Sequence, residues 1–213
     1  MFDFSQIKNF IWDFDGTLYD TYPYTIDCFM KALKESGVDA DPIEVYTLMM
    51  TTIEHAFTVY EKRYNLGNKL RETYGRIRQT TPHTQGGPFP YAVRVLERVI
   101  QTGGENYMFT HRENDVYDIM EHFDTLKYFK DIATLAGGFA LKPSPEGIDY
   151  LIEKHNLDRK KTIMIGDREI DIKSGENAGV YTCHITNGLP YGDFSTAIRV
   201  NGLKDIFDLL EGK

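Results

Sequence analysis

Five short apolar runs, separated by longer stretches with a helical pattern, constrain the fold of this chain more than any other feature. The runs occupy residues 10–12, 107–109, 132–135, 162–165 and 180–185. Each is typical of a strand that is buried on both faces. Between them, apolar residues recur at helical spacing, as in residues 92–100 and 116–123. This alternation predicts an α/β fold with a doubly wound parallel sheet and crossover helices.

One long segment departs from this alternation. Residues 17–84 contain no convincing strand but four helical stretches. Thr51, followed three residues later by Glu54, predicts a capping box at the start of the third stretch. We therefore predict an α/β core domain formed by residues 1–16 and 85–213, with an inserted four-helix cap domain formed by residues 17–84.

Carboxylates follow two of the predicted strands. Asp13 and Asp15 come directly after the first run, in the sequence DFDGT, and Asp167 follows the fourth run in GDREID. In open parallel sheets, ligands bind beyond the carboxyl ends of the strands. Three carboxylates at close range repel one another, and a hard divalent cation compensates such a cluster. The sequence thus predicts a metal-dependent site at this edge of the sheet.

Taken in order, four motifs make the chain resemble the haloacid dehalogenase (HAD) superfamily, specifically its phosphatase-type branches with a helical cap. They are DFDGT from Asp13, Thr110 after an apolar strand, Lys142 in KPSPE, and GDREID from Gly166. The motif order and the helical insertion together cover essentially the whole chain. Motif matches of this kind remain hypotheses that their structural context must support.

The resemblance implies a role for each of four side chains. Asp13 would be the nucleophile that accepts a phosphoryl group, because a carboxylate can form a labile acyl phosphate. Asp15 would protonate the leaving alcohol and then deprotonate the attacking water. Thr110 would donate its hydroxyl to a phosphoryl oxygen, and Lys142 would pair with the phosphate and Asp13. In related chains a cis peptide bond often precedes the proline that follows this lysine.

The resemblance also implies a Mg²⁺ ion. Its ligands would be the Asp13 carboxylate, the backbone carbonyl of Asp15 and the Asp167 carboxylate, and the ion would neutralise phosphate charge. Asp171 resembles the second carboxylate of the last motif, which more often supports the site than binds the metal. Alternatively, Asp171 caps the helix that follows.

Substrate binding is assigned to residues at the rim of the site. Gly16 lets the backbone approach a ligand closely. His111 and Arg112 directly follow Thr110, and a guanidinium can clamp a substrate oxyanion or, equally, pair with a carboxylate of the cap. In the later part of the cap, a basic stretch could bind an anionic leaving group or form an ordinary solvated helix face. That stretch contains Lys62, Arg63, Lys69, Arg71, Arg76 and Arg78.

The expected activity is Mg²⁺-dependent hydrolysis of a small phosphomonoester metabolite, similar to that of phosphoglycolate phosphatases. Asp15 favours phosphoryl transfer over dehalogenation, since an alkoxide leaving group needs a proton and a halide does not. Two alternatives stay open: a sugar-phosphate mutase resembling β-phosphoglucomutase, and a phosphate-binding or scaffold protein without turnover. We expect a monomer or a homodimer.

Composition limits the partners. A net charge of −8 argues against nucleic acid and against an anionic membrane surface. The first twenty residues lack the pattern of a signal peptide, and no run is long enough to span a bilayer, so we predict a cytoplasmic protein. The two cysteines, Cys28 and Cys183, are too few for a disulfide framework and are expected to be buried thiols.

Overall fold

The computed structural model describes residues 4–82, 86–188, 196 and 198–213. The chain divides into two compact units: residues up to Asp20 together with those from Gly87 onward form one, and Thr21–Gly86 form the other. The boundaries expected from the sequence, after residues 16 and 84, lie slightly earlier. Leu18 and Tyr19 belong to the first unit because both are buried in its core, where the Tyr19 ring stacks on Phe14.

Within the described residues of the first unit, six parallel strands form one sheet. Their order across the sheet is β3-β2-β1-β4-β5-β6. The strands are β1 (Asn9–Trp12), β2 (Glu105–Phe109), β3 (Phe129–Ala133), β4 (Thr162–Gly166), β5 (Tyr181–Ile185) and β6 (Arg199–Val200). The predicted parallel α/β sheet is confirmed, although β3 starts and ends earlier than expected and β6 was not predicted. Because β1 lies between β2 and β4, the residues that follow these three strands emerge side by side.

The described part of the second unit, residues 21–82 and 86, contains four helices. They are α1 (Tyr22–Glu35), α2 (Pro42–Thr51), α3 (Ile53–Tyr64) and α4 (Lys69–Thr80). An aromatic cluster around Phe29, Phe57 and Tyr74 forms its centre. The predicted capping box at Thr51 is wrong: Thr51 is the last residue of α2. Its neighbour Thr52 has an extended backbone and caps α3 by accepting a hydrogen bond from the amide of His55 at 2.9 Å.

Helices cover both faces of the sheet. They are α5 (Ala92–Gln101), α6 (Asp115–His122), α7 (Glu146–His155), α8 (Glu169–Asn177) and α9 (Leu203–Leu210). Successive strand residues point to opposite faces. Accordingly, Phe10 and Trp12 of β1 pack with α5, α6 and α9, whereas Ile11 packs with α7. Among the described residues, no helix combines the length and the apolar character that crossing a bilayer requires.

Candidate active site

Three buried polar side chains follow the carboxyl ends of the central strands. Asp13 extends β1 by donating its amide to the carbonyl of Ile165 at 2.9 Å. Thr110 follows β2, Asp167 follows β4, and all three residues are at most 1% exposed. Burying polar groups this completely is unfavourable unless they have partners. The strands therefore hold these groups at one edge of the sheet, where the contacts described below satisfy them.

Lys142 bridges two of the carboxylates. Its Nζ donates to Asp13 Oδ1 at 2.6 Å and to Asp171 Oδ1 at 2.7 Å, and none of the three side chains is more than 2% exposed. Burial alone would lower the pKa of Lys142, but Asp13 and Asp171 outweigh that effect and raise it. Burial alone would raise the pKa of Asp171, but the positive charge of Lys142 outweighs this effect, and the pKa is lowered. The ammonium group is thus charged, and it fixes both carboxylates.

The acidic cluster carries more negative than positive charge. Carboxylate oxygens of Asp13, Asp167 and Asp171 all lie within 4.8 Å of one another. Burial raises the pKa of Asp13 to about 7; Lys142 opposes this shift, and the Asp171 and Asp167 carboxylates reinforce it. The nearest further cation, Arg168, has its Nε 4.0 Å from both Asp167 and Asp171. A small divalent cation fits this charge imbalance and this donor set of carboxylate oxygens.

The contacts of Asp171 separate it from the other two carboxylates. Its Oδ1 accepts from Lys142, and its Oδ2 accepts from the amide of Arg168 at 3.0 Å, which caps the start of α8. Both roles considered for Asp171, supporting the site and capping a helix, are therefore present together. Both oxygens of Asp171 are thus held by contacts of 3.0 Å or less, whereas Oδ2 of Asp13 and Oδ1 of Asp167 have longer contacts with the Thr17 hydroxyl, at 3.3 and 3.4 Å, and are easier to share with a metal.

Asp15 lies against an arginine. Arg112 directs Nε to both carboxylate oxygens of Asp15 at 3.0 Å and Nη2 to Oδ1 at 2.8 Å. Its Nη1 donates to Asp115 Oδ2 at 2.6 Å. The Arg112 side chain is 8% exposed and the Asp15 side chain 28%. The sequence placed Arg112 near a substrate or a cap carboxylate, and the pairing with Asp15 was not foreseen.

His111 contacts the segment that carries Lys142. Its Nε2 accepts a hydrogen bond from the amide of Lys142 at 2.7 Å, next to the cis peptide bond between Lys142 and Pro143. Burial lowers the pKa of His111 to about 3, and the cations Lys142 and Arg168 contribute. His111 is therefore neutral at physiological pH and supports the backbone of this segment, while its contact with a substrate stays a prediction.

The Thr110 hydroxyl is oriented by the backbone. Its oxygen accepts the amide of Arg112 at 3.1 Å. Within the part of the chain that the structure describes, the Arg112 amide is the one hydrogen-bond partner of this hydroxyl, which leaves the hydroxyl hydrogen available to a ligand oxygen. This geometry suits the donor role that the sequence resemblance implies for Thr110.

Two further residues, for which the sequence motifs indicated no role in the site, organise the loop after β1. The Thr17 hydroxyl lies 3.3 Å from Asp13 Oδ2 and 3.4 Å from Asp167 Oδ1. Asn187 donates its side-chain amide to the carbonyls of Gly16 and Thr17 at 2.7 and 3.1 Å. Gly16 has φ 80°, a left-handed conformation that glycine adopts without strain. The available signals were the threonine of DFDGT and the Asn-Gly turn after β5.

The arginines of the predicted basic stretch are engaged within the helical unit. The pairs are Arg63 with Glu44, Arg71 with Glu54 and Glu61, and Arg76 with Glu35. Arg71 also lies over the ring of Phe57, 4.6 Å from its centroid. These contacts favour the interpretation of the stretch as an ordinary charged helix surface over that of an anion-binding site.

Two further histidines, His155 and His184, and both cysteines have structural surroundings. His184 is buried with Nε2 2.9 Å from the carbonyl of Asp167, and burial lowers its pKa. His155 Nε2 lies 2.8 Å from Asp131, and His83 lies outside the described residues. Both cysteines are buried, as expected, and burial raises the pKa of Cys183 to about 12. Within the described ranges, the aspartate cluster is the one group of such side chains that could hold a metal.

The sequence and the fold are similar to those of known phosphatases and hydrolases. A phosphoglycolate phosphatase from Vibrio parahaemolyticus is 27% identical over 97% of this chain and 96% of its own length. The pyrophosphatase PpaX from Halalkalibacterium halodurans is 26% identical over 96% of this chain and 97% of its own. A haloacid dehalogenase-like family hydrolase from Streptococcus pneumoniae shares the fold, with a TM-score of 0.80 at 17% identity over 96% of this chain and 98% of that one. The family model for haloacid dehalogenase-like hydrolases matches residues 10–185, so the chain belongs to that family.

Proposed function

We propose that this hydrolase is a phosphomonoesterase in which Asp13 attacks phosphorus and forms an aspartyl phosphate. The observation that carries the proposal is the buried ammonium of Lys142, 2.6 Å from Asp13 at the carboxyl end of the central strand. An ion pair at this position opposes the rise that burial causes in the pKa of Asp13, and it supplies a positive charge where a phosphate would arrive. Covalent catalysis of this kind divides one difficult displacement into two easier ones.

The two half-reactions use the neighbouring side chains in turn. In the first, an Asp13 oxygen bonds to phosphorus, the bond to the leaving oxygen breaks, and that oxygen takes a proton from Asp15. In the second, water attacks the phosphorus of the aspartyl phosphate, Asp15 accepts the proton, and Asp13 is released with phosphate. Thr110 and Lys142 hold the phosphoryl oxygens by a hydroxyl hydrogen bond and an ion pair.

The acidic cluster supports a Mg²⁺ requirement. Asp13 and Asp167 would hold the ion through their carboxylates, and family resemblance adds the backbone carbonyl of Asp15. When bound, such an ion neutralises phosphate charge and orients the phosphoryl group. The Thr17 hydroxyl, between the two carboxylates, keeps them oriented toward a common position.

We propose a small, anionic phosphomonoester resembling phosphoglycolate as the substrate. The similarity to the Vibrio phosphoglycolate phosphatase, over nearly the full length of both chains, supports this choice. Inorganic pyrophosphate is a second candidate, because the PpaX relative matches at nearly the same identity. We further propose that Thr21–Gly86 form a cap that influences which substrate is accepted, and that the protein works in the cytoplasm as a monomer or homodimer.

A phosphate-release screen tests this function. The purified chain is assayed with Mg²⁺ on phosphoglycolate, pyrophosphate and a set of sugar phosphates, with an Asp13→Asn variant as the control for contaminating phosphatases. We expect release from at least one small phosphomonoester by the wild type and none by the variant. Transfer of the phosphoryl group to a bound sugar instead of water would identify a mutase. No turnover of any phosphoester would favour a phosphate-binding protein.

A further inference from the structure

Arg112 is held on three sides within the sheet unit. Asp15 accepts from Nε and Nη2, Asp115 at the start of α6 accepts from Nη1, and the guanidinium carbon lies 5.1 Å from the centroid of the Phe14 ring. Only 8% of the side chain is exposed. An arginine with these anchors has few conformations left to it, and its planar fork matches a carboxylate.

The direction of these contacts points to Asp15 as the group on which Arg112 acts. Three nitrogen–oxygen contacts at or below 3.0 Å join the guanidinium to the two oxygens of that carboxylate. The third nitrogen is turned to Asp115, so each of the three guanidinium nitrogens already faces a protein carboxylate. Little of Arg112 is left to reach a substrate, whereas Asp15 keeps 28% of its side chain exposed.

We propose that Arg112 is a positioning residue that fixes the orientation of the Asp15 carboxyl group, which gives its proton to the leaving oxygen and then, as a carboxylate paired with Arg112, takes a proton from the attacking water. This inference rests on the proposed phosphomonoesterase function. Proton transfer requires the acid within hydrogen-bond reach of the leaving oxygen, and a group that fluctuates out of that position loses rate. Asp115 and Phe14 hold Arg112, and Arg112 in turn holds Asp15.

The choice of leaving group separates this role from a general structural one. An alkoxide leaves poorly unless it is protonated, whereas a nitrophenolate leaves readily as the anion. Loss of a well-placed general acid typically costs about 10²–10⁴-fold in rate where protonation is required. A disordered but still present acid should lose part of this, so we expect a fall of about 10–100-fold for an alkyl phosphate and several-fold or less for an aryl phosphate.

The experiment measures kcat/KM for glycerol phosphate and for p-nitrophenyl phosphate, because this ratio reports the steps up to departure of the leaving group. The variants are Arg112→Lys, which keeps the charge but not the fork, and Arg112→Met. Arg159→Met serves as the matched control, since Arg159 pairs with Asp149 at 2.7 Å and lies just before the amino end of β4, opposite the site. We expect the Arg112 variants to lower kcat/KM for glycerol phosphate at least about tenfold more than kcat/KM for p-nitrophenyl phosphate. The control should leave the relative kcat/KM for the two substrates unchanged. In an Asp15→Asn background, Arg112→Lys should then have little further effect.

Equal losses on both substrates would overturn the proposal, because they would mean that Arg112 binds the shared phosphate or only maintains the fold. A readout independent of turnover is the ¹⁵N-detected Nε–H signal of Arg112, assigned by its loss in Arg112→Lys. We expect slow exchange with water in the wild type and fast exchange in Asp15→Ala. Fast exchange in the wild type would overturn the proposal even in an active enzyme. A slowly exchanging Nε–H in a protein without any phosphatase activity would instead refute the proposed function, and with it the proposed positioning role of Arg112 in proton transfer.

Discussion

Replacing Lys142 with methionine should destabilise the sheet unit severely. Methionine keeps an unbranched chain of similar length but removes the ammonium that lies 2.6 Å from Asp13 and 2.7 Å from Asp171. Both carboxylates are buried, so neither can recover its lost partner from water. Removing one member of a buried ion pair typically costs about 3–5 kcal/mol. At about 2–4 °C per kcal/mol for a chain of this size, we expect the melting temperature to fall by about 6–20 °C.

Urea unfolding followed by tryptophan fluorescence measures this change in the sheet unit, to which Lys142 belongs. Trp12 is the one tryptophan of the chain, lies fully buried in β1, and donates its Nε1–H to Asn106 at 2.9 Å. Its signal therefore reports unfolding of the sheet unit, separately from the helical unit. EDTA in the buffer prevents a divalent cation from replacing the lost ammonium charge.

Two further variants test this prediction more stringently, one as a partial rescue and one as a control. In Lys142→Met combined with Asp171→Asn, one of the two unpaired charges is gone, so part of the lost stability should return. Lys173→Met removes an exposed ion pair with Glu169 on α8 and should change the free energy of unfolding by less than about 1 kcal/mol. A loss below about 1 kcal/mol for Lys142→Met, or a double variant less stable than the single one, would refute the assignment of Lys142 as the counter-charge of this cluster.

Three other outcomes are expected. Asp13→Asn should abolish phosphate release while leaving the Trp12 unfolding transition in place, since the amide is nearly isosteric but a poor nucleophile; wild-type kinetics in this variant would disprove the nucleophile. Activity should vanish in EDTA and return with Mg²⁺, and Ca²⁺ should inhibit because its larger, looser coordination misplaces the reacting groups; activity that resists EDTA would contradict the metal site. Gly166→Ala should lower thermal stability by about 1–3 kcal/mol or more, because an added Cβ would lie 2.2 Å from Cβ of Asp171. Gly75→Ala in α4, where nothing lies within 4 Å, is its control and should melt no lower than the wild type.

The sequence was sufficient for the four interior strands, β1, β2, β4 and β5, because they are buried on both faces and form largely apolar runs. β3 was placed too late: Lys130 and Asp131 interrupt its apolar character, which a strand near the edge of a sheet tolerates. β6 spans only Arg199 and Val200, too short for any periodicity to be recognised. The cap of α3 was assigned one residue early because Thr51 and Thr52 are equally good capping residues, and only the backbone conformation distinguishes them.

At the candidate site, the ends of the predicted strands indicated which residues lie close together. They did not indicate which side chains form ion pairs or hydrogen bonds with one another. Asp13, Thr110 and Asp167 follow adjacent strands, so their proximity follows from strand order. The bridge from Lys142 to Asp171 and the pairing of Arg112 with Asp15 depend on side-chain directions in loops far apart in sequence. No local pattern encodes those directions. Asn187 illustrates the same limit, because its turn was evident from the sequence and its hydrogen bonds to the loop after β1 were not.

The stem from which the helical unit leaves the sheet unit is closed by the backbone itself. The amide of Asp20 donates to the carbonyl of Gly87 at 3.0 Å, and the amide of Phe89 donates to the carbonyl of Leu18 at 2.9 Å, with Tyr19 and Pro88 paired between them. These bonds join the two chain ends independently of what lies between them, and the free energy of closing a longer loop rises only slowly with its length. The stem is therefore a natural junction for recombination. A chimera that receives the helical unit of a relative at these two points should keep the buried aspartate–lysine cluster unchanged. If the helical unit influences substrate choice as proposed, such an exchange would alter substrate preference while leaving the groups proposed for catalysis in place.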